Sequence, residues 1–239
     1  MESVLMCPTC KGTGWKFVES EGRQAVTRCE CFEKKHLERL ILMANIPTRY
    51  DSCSFENFHA ITPKLDLVKT LAKRFVEDYP TVECGLLILG PCGVGKTHLA
   101  VSILRALIYK HEVEALFCDF RELLKRIQNS YNPVSQASEM QILDPVLNSE
   151  VVVLDDLGSE RPTEWVRDTF AYIILITSNF DDNPKLYKTL SDGSRVSSEE
   201  SLEDRIGIRL RSRLYEMCKV IRIEGSDFRI DVKQAQYQF

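Results

Sequence analysis

A glycine-rich segment that ends in Lys-Thr predicts a binding site for phosphate groups. Residues 90–97 read GPCGVGKT and fit the pattern G-x4-G-K-T, between a short apolar run and a segment with helical spacing. Such glycines let backbone N–H groups surround phosphate oxygens at the positive end of a helix. Lys96 would reach the outer phosphates, and the Thr97 hydroxyl would complete a Mg²⁺ shell. The residues predicted to contact nucleotide are Gly90, Pro91, Cys92, Gly93, Val94, Gly95, Lys96, Thr97 and His98.

Polar side chains follow two further apolar runs. Asp155 and Asp156 come after the β-branched run at 151–154, and Asn179 follows YIILITS. The carboxyl ends of parallel strands meet at one edge of a sheet, where ligands bind. Asp155 would hold Mg²⁺ through water, Asp156 would orient or deprotonate the attacking water, and Asn179 would sense the γ-phosphate. The alternative is that these residues only cap turns.

Four arginines occur within residues 204–213, in a chain of formal charge −4. The preceding SLED is a capping box and predicts that one helix starts there. Residues at four-residue spacing would form its buried stripe, namely Leu202, Ile206, Leu210 and Leu214. Arg205, Arg209 and Arg213 recur along one flank, where a rigidly mounted arginine can reach the γ-phosphate site of a neighbouring subunit. Arg209 is the first candidate and Arg205 the second; the alternative is a solvated basic face or a DNA contact.

A cluster of cysteines near the start of the chain has the spacing of a zinc site. The pattern is C-x2-C, then eighteen residues, then C-x-C, and its members are Cys7, Cys10, Cys29 and Cys31. Gly12 and Gly14 supply a tight backbone whose N–H groups can face sulfur. His36 could replace Cys31 as the fourth ligand. The alternative is a set of unrelated thiols.

The elements that must position these residues follow from periodicity. Strands and helices alternate over residues 85–225, which predicts a parallel α/β sheet. Residues 32–47 have the spacing of a connecting helix. A helix is also expected over residues 62–79, with one face formed by Leu67, Leu71, Phe75 and Val76. The polar, turn-rich residues 186–201 are expected to form a mobile loop.

Composition narrows the class of protein. The chain has 239 residues and is 44% hydrophobic, which is enough for a sizeable core. Lys and Arg total 31 against 35 Asp and Glu, so bulk charge does not indicate a nucleic-acid binder. No signal peptide and no apolar run of about 20 residues is evident, which predicts a cytoplasmic protein without membrane contact.

Together, GPCGVGKTHLA, VVVLDDLGSE, TSNF and SLEDRIGIRLRSRL resemble the DnaC/DnaI/IstB group of AAA+ ATPases, the bacterial helicase loaders and transposition helpers. The resemblance covers residues 46 to 224. It implies a sheet ordered 5-1-4-3-2, ATP-dependent self-association through the arginine helix along single-stranded DNA, and delivery of the replicative hexameric helicase. The cysteine cluster is similar to the zinc-binding, partner-docking module of some loaders. The implied division is a zinc module with linker helix at 1–45 and an AAA+ ATPase domain at 46–239.

Carried onto this chain, the resemblance makes Lys96 and Thr97 the Walker A pair and Asp155 and Asp156 the Walker B pair. Asn179 becomes the sensor, and the arginine finger is again Arg209, with Arg205 second. The implied cofactors are ATP, Mg²⁺ and Zn²⁺.

One segment departs from the family pattern. Residues 164–180, EWVRDTFAYIILITSNF, contain no Gly or Pro, and no Asn before residue 179, so the usual joint between helix and sensor strand is missing. Nucleotide binding is therefore predicted, whereas hydrolysis is left open. The alternatives are an IstB-type ATPase that hands DNA to a transposase and an adaptor that binds ATP without hydrolysing it. A small-molecule kinase would need neither the arginine helix nor the Asp-Asp strand end.

Overall fold

A small hairpin and one helix precede the central sheet. The structure, a computed structural model, describes residues 7–20, 23–132, 138–160, 173–181, 187–189, 195–197 and 200–231. Strands β1 (Trp15–Ser20) and β2 (Arg23–Arg28) pair antiparallel between the two cysteine pairs, a hairpin that the sequence did not predict. Helix α1 (Glu30–Met43) is the predicted connecting helix, begun two residues earlier. Its C-terminus is tied to the sheet because the N–H of Phe117 donates to the carbonyl of Ala44 across 2.7 Å.

The rest of the chain alternates helices and strands. In chain order the elements are α2 (Pro63–Asp78), β3 (Gly85–Leu89), α3 (Lys96–His111), β4 (Ala115–Asp119), α4 (Phe120–Ser130), α5 (Glu139–Asn148), β5 (Val151–Asp155), β6 (Ile173–Ser178), β7 (Tyr187–Thr189), β8 (Arg195–Ser197), α6 (Leu202–Ile206), α7 (Ile208–Met217), β9 (Cys218–Arg222) and α8 (Phe228–Asp231). All the described residues of β3 and β5 are buried, as expected for strands covered on both faces.

Five strands form one parallel sheet in the order β4-β5-β6-β3-β9. Counted among these five strands alone, from the β9 edge, the order is 5-1-4-3-2, so the topology implied by the resemblance is confirmed. Two apolar clusters cover the two faces: α2, α3 and the end of α1 lie on one side, and α4 to α7 lie on the other. The fold class is therefore α/β, a parallel sheet flanked by helices, which is the architecture expected of a P-loop NTPase of AAA+ type. Because β3, β5 and β6 are adjacent, the segments that follow them meet at one edge.

The buried face of α2 differs from the prediction. Leu67 and Leu71 are exposed, whereas Phe75 and Val76 are buried as expected. The other buried residues of the helix are Leu65, Val68 and Ala72. The Thr62 side chain accepts a hydrogen bond from the N–H of Leu65 and so fixes where the helix begins. Positions 65, 68, 72 and 75 lie on one face at the 3.6-residue period, and this face packs into the core cluster with α3.

The predicted single arginine helix is wrong, because Gly207 divides it into α6 and α7. Gly207 has φ 81° and ψ 155°, outside the helical region, and its N–H donates to the carbonyl of Glu203. Glycine adopts this backbone without a Cβ clash. The capping box is present: Ser201 accepts from the N–H of Asp204, and the Asp204 carboxylate accepts from that of Ser201. The four expected apolar residues are all buried.

Residues 186–201 contain paired strands rather than only a loop, because β7 and β8 form an antiparallel hairpin. The segment predicted to lack a joint falls largely in residues 161–172, outside the described residues. The connection nevertheless returns the chain to β6, which pairs parallel with β5. In the parts of the chain that the structure describes, no helix combines the length and apolar character needed to cross a membrane.

Candidate nucleotide and zinc sites

The glycine-rich segment forms a tight turn between β3 and α3. Gly95 is the N-cap of α3 with φ 97°, and Gly93 has φ 79°. Both angles lie in the left-handed region, which only glycine occupies without penalty. The backbone of the turn therefore leads directly into the N-terminus of a 16-residue helix, whose first N–H groups lack helical acceptors. This arrangement suits an anion.

Lys96 is held inside the turn and is nearly buried. Its Nζ donates to the carbonyl of Pro91 across 2.7 Å and to Oδ1 of Asn179 across 2.6 Å. Burial lowers the pKa of Lys96, and the negative charges nearby oppose that shift. Both of these acceptors are neutral oxygens. Phosphate oxygens are stronger acceptors, so the lysine can exchange these two hydrogen bonds for bonds to phosphate.

Asp155 accepts hydrogen bonds from two threonine side chains at the sheet edge. Its Oδ1 accepts from the Thr97 hydroxyl across 2.8 Å and from the Thr177 hydroxyl across 2.6 Å. The side chain is buried, and burial raises the pKa of Asp155 although both hydroxyl bonds oppose the rise. A threonine hydroxyl and a carboxylate are the hard oxygen ligands that Mg²⁺ prefers, so this pair fits the predicted ion.

Asp156 and Asn179 lie next to Asp155. The Asn179 amide Nδ2 donates to Oδ1 of Asp156, while its own Oδ1 accepts from Lys96. Asn179 therefore connects the lysine of the turn to the second carboxylate. Asp156 has φ 62°, and its N–H donates to the Thr177 hydroxyl across 2.9 Å. Partial burial raises the pKa of Asp156, and the charge of Arg121 is the largest opposing influence.

Thr177 is a residue of the candidate site that sequence reasoning missed. It is fully buried, donates to Asp155 and accepts from the backbone of Asp156, so it fixes the two carboxylates relative to each other. The available signal was a hydroxyl residue inside an apolar strand, two positions before the polar Asn179. Sequence alone did not show that its side chain faces β5 at the level of the two acids.

The nine residues predicted to contact nucleotide are not equally placed. The backbone of residues 90–97 forms the turn, and Cys92 is exposed on it. The His98 side chain faces away, since its Nε2 lies 3.1 Å from the carbonyl of Ser54 and its ring meets Phe58 edge-on. Among the predicted contacts, His98 is thus directed toward the segment before α2 rather than toward Lys96.

The two candidate arginines have different surroundings. Arg205 is engaged within its own chain: Nε donates to the carbonyl of Gly158 at 2.6 Å and Nη2 to that of Ser159 at 2.8 Å. Its Nη1 pairs with Glu200 at 3.0 Å, and the guanidinium lies over the Phe180 ring. Arg205 therefore anchors the loop that follows the two aspartates.

Arg209 lies on the exposed side of α7. It forms no hydrogen bond or ion pair with the residues that the structure describes. Because Gly207 interrupts the helix between them, Arg205 and Arg209 do not share one helical flank.

The four cysteines come together at the N-terminal hairpin. Their sulfur atoms all lie within 4.8 Å of one another. Four thiolates at ~2.3 Å from a central Zn²⁺ would be separated by about 3.8 Å, so the cluster fits a tetrahedral ion. Gly12 and Gly14 have positive φ, as the tight turn requires. His36 lies elsewhere, with Nε2 3.7 Å from a carboxylate oxygen of Glu112, so the fourth cluster member is Cys31.

The thiols of the cluster are unequal. The backbone N–H of Cys10 is the largest influence that lowers the pKa of Cys7 to about 6. By contrast, the pKa of Cys31 is raised to about 12, and the largest cause is its hydrogen bond with the Cys10 side chain. The metal-free cluster thus favours a thiolate at one position and a neutral thiol at another, which is the sharing expected when like charges are crowded.

Comparison with known proteins agrees with this geometry. The model of the family described as "IstB-like ATP binding protein" matches residues 27–235, and the chain belongs to that family. Its site is the P-loop and acidic strand end of a DnaC/DnaI/IstB-type AAA+ protein, preceded by a four-cysteine cluster whose geometry is compatible with zinc.

Several individual proteins are similar. "Phage-like element PBSX protein XkdC" of Bacillus subtilis (strain 168) is 26% identical over 246 residues, which are 97% of this chain and 84% of that protein. "Replicative helicase loader DnaI" of the same strain is 26% identical over 151 residues, 61% of this chain and 47% of that protein. The structure titled "Crystal structure of the DnaC helicase loader" superposes with a TM-score of 0.57 and 28% identity, over 74% of this chain and 99% of that one.

Proposed function

We propose that this protein is an ATP-hydrolysing helicase loader, which assembles on single-stranded DNA and delivers the replicative hexameric helicase. One observation supports the ATPase chemistry above all. Asn179 donates to Asp156 and accepts from Lys96, so the phosphate-binding lysine and the proposed water-activating carboxylate are connected through one amide. The likeness to helicase loaders DnaC and DnaI supports the biological setting.

The proposed chemistry divides among the residues at the sheet edge. Lys96 and the backbone of the turn would bind the β- and γ-phosphates, with Thr97 and Asp155 holding Mg²⁺, which neutralises developing charge when bound. Asp156 would orient the attacking water and accept its proton. Its raised pKa is consistent with that role, since burial moves the carboxyl toward the range of a general base. Asn179 would leave Lys96 and contact the γ-phosphate.

We propose Arg209, rather than Arg205, as the group that completes a neighbouring subunit's site. Arg205 already bonds Gly158 and Ser159 of its own chain, and releasing it would cost those contacts. Arg209 is exposed on α7, and its guanidinium forms no hydrogen bond or ion pair with a described residue of the chain. An arginine in this position can form a bidentate contact with phosphate oxygens across an interface.

The N-terminal module offers a surface for the helicase. Trp15, Phe17 and Val26 are exposed on one face of the β1–β2 hairpin, and the Arg28 guanidinium contacts the rings of Trp15 and Phe32. An exposed aromatic cluster around a cation has the composition of a protein-binding hot spot. We propose that this hairpin face docks the partner. We further propose that residues 1–45 are the zinc module with its linker helix and that residues 46–239 form the ATPase domain.

Exposed cations outside the nucleotide site support a DNA contact. Lys125 and Arg126 lie on the outer side of α4, and Arg213 lies on that of α7. Binding through these groups would be largely electrostatic and would weaken as salt is added. The proposed setting is the cytoplasm. None of the nine cysteines is in a disulfide, as expected in a reducing compartment.

A pull-down with the replicative helicase of the same cell tests the proposal. The wild-type chain should retain the helicase, and Phe17→Ser should lose it while still binding nucleotide. Ile61→Ser is a matched control, because Ile61 is equally an exposed apolar residue but lies outside the hairpin. Loss of the helicase with neither variant, or with both, would contradict docking by the hairpin face.

A second candidate is an ATPase that assists a transposase, which the IstB family match favours. This function would use the same ATP site, so the two candidates differ in the partner that the chain binds. If the chain retained a transposase encoded beside this gene and did not retain the helicase, that result would select this function. A third candidate, an adaptor that binds but does not hydrolyse ATP, is selected if nucleotide binds and no phosphate is released with either partner and single-stranded DNA present.

A further inference from the structure

The residues after β9 lie directly across the phosphate-binding turn. We call residues 223–231 the C-terminal segment. The N–H of Ile223 donates to the carbonyl of Leu89 across 2.8 Å, and the N–H of Phe228 donates to that of Gly93 across 3.1 Å. A Cβ on Gly90 would lie 2.3 Å from the carbonyl oxygen of Ile223, so the two backbones touch there. The segment therefore packs on the turn at two of its glycines.

The side chain that packs against Gly93 is the carboxylate of Asp227. A Cβ on Gly93 would lie 1.9 Å from Oδ1 of Asp227 and 2.0 Å from its Cγ, so the carboxyl group fills the volume that glycine leaves open. Its Oδ1 accepts a local bond from the N–H of Arg229 at 2.9 Å. Asp227 has no ion-pair partner among the described residues. A negative group thus rests against the glycine-rich turn at Gly93. Burial lowers the pKa of Lys96, and Arg229 is the charge of the same segment that acts on this lysine and lowers its pKa further.

Two further contacts hold the segment to the chain that precedes the turn. The rings of Phe228 and His59 are nearly parallel, with 12° between their planes and 6.0 Å between centroids. Lys64 and Glu224 form an exposed ion pair at 2.7 Å. Ile223 is buried and stays part of the core, whereas these contacts beyond it are exposed and contribute little. The position of residues 224–231 is therefore the part that is sensitive to a change of charge beside it.

We propose that the C-terminal segment is a nucleotide-responsive closure, in which the bound triphosphate repels the Asp227 carboxylate and displaces the segment from Gly93. The inference rests on the proposed nucleotide binding and adds a regulatory device to it. Asp227 is partly buried, and like charges on one turn repel more strongly at a partly buried site than on an open surface. By linkage, a segment that is displaced by nucleotide must also weaken nucleotide binding while it is closed.

The test compares the unmodified chain with Asp227→Asn, which keeps the shape and the Oδ1 acceptor but removes the charge. Hydrogen exchange at the amide of Phe228 should accelerate when ATP and Mg²⁺ are added to the unmodified chain. In Asp227→Asn the acceleration should be lost, and ATP should bind about fivefold tighter. Asp51→Asn is the control, because Asp51 is an exposed acid in a turn outside the C-terminal segment, and it should behave like the unmodified chain.

The outcomes separate this inference from the proposed function. If the unmodified chain binds no nucleotide, both fail. If it binds ATP but exchange at Phe228 slows or stays the same, only the closure is overturned, whether or not the variant folds. Weaker ATP binding by a folded Asp227→Asn protein would also overturn it, because the carboxylate would then be a contact for nucleotide rather than a repulsive group.

Discussion

The hydroxyl of Thr177 donates to Oδ1 of Asp155 across 2.6 Å, and both side chains are buried. The same Oδ1 accepts from Thr97, and the same Thr177 oxygen accepts from the backbone of Asp156. This bond therefore joins the start of α3 and the ends of β5 and β6 into one unit. Its formation satisfies a carboxylate that would otherwise be buried with fewer partners, and it fixes the backbone that carries the second aspartate.

Replacing Thr177 by Val should lower the free energy of unfolding by about 1–3 kcal/mol, because the shape is kept while a buried carboxylate loses a donor. Denaturation in urea measures this difference. Thr70→Val is the matched control, since the Thr70 hydroxyl donates to a backbone carbonyl on the exposed side of α2. Equal losses in the two variants would show that the contact with Asp155 is not special.

Replacing Asp156 by Asn should stabilise the nucleotide-free protein and abolish most hydrolysis. Burial raises the pKa of Asp156, so the folded state binds its proton more tightly than the unfolded state does. The wild type therefore loses stability as pH rises through this pKa. The midpoint of thermal unfolding should favour Asp156→Asn at pH 7, and the difference should vanish well below pH 4.

The same variant should keep nucleotide binding while its hydrolysis rate falls by about 10²–10⁴-fold, the contribution of a general base. Release of phosphate at saturating ATP measures the rate. Hydrolysis that survives in Asp156→Asn would assign the base to another group.

Replacing Lys96 by Ala should weaken ATP binding by about 2 kcal/mol or more, because charge-assisted bonds to the phosphates are lost. Titration with a fluorescent ATP analogue measures the affinity. Lys110→Ala removes a lysine near the other end of the same helix, where it pairs with Glu77, and should leave binding unchanged. Retention of ATP by Lys96→Ala would remove the phosphate-site assignment.

A mixture of Arg209→Ala and Asp156→Asn proteins should recover part of the hydrolysis that each lacks alone. The reason is that one interface of a mixed assembly would combine an intact arginine with an intact aspartate. Phosphate release is measured as the ratio of the two proteins is varied. If the proteins assemble and activity stays absent at every ratio, the arginine does not act between subunits.

The cysteine cluster should bind about one Zn²⁺ per chain, and Cys31→Ser should lose most of it while His36→Ala keeps it. The four sulfur atoms lie close together, whereas His36 pairs with Glu112 on another element. Metal analysis after dialysis gives the stoichiometry. Loss of zinc in His36→Ala with retention in Cys31→Ser would reverse the ligand assignment.

Much of the site was predictable because local patterns carry it. The glycine-rich turn needs positive φ at fixed positions, and both Gly93 and Gly95 show it. The β-branched run before Asp155 is typical of a buried parallel strand, and the topology implied by the resemblance is the one observed. The prediction of the buried face of α2 was partly wrong, because apolar residues occur on two of its faces and their spacing does not show which face is buried. Leu67 and Leu71 are apolar but exposed, because α2 packs through the face that carries Leu65, Val68 and Ala72 instead.

The sequence by itself determined that this chain has a phosphate-binding turn, two acids at a strand end and a set of cysteines, since each depends on residues close together in the chain. Tertiary structure decided how they meet. Only the adjacency of β5 and β6 brings Thr177 to Asp155, and only the break at Gly207 separates Arg205 from Arg209. The carboxylate of Asp227 reaches Gly93 because β9 pairs with β3. Contacts between distant segments follow from packing and strand order, which spacing along one chain does not specify.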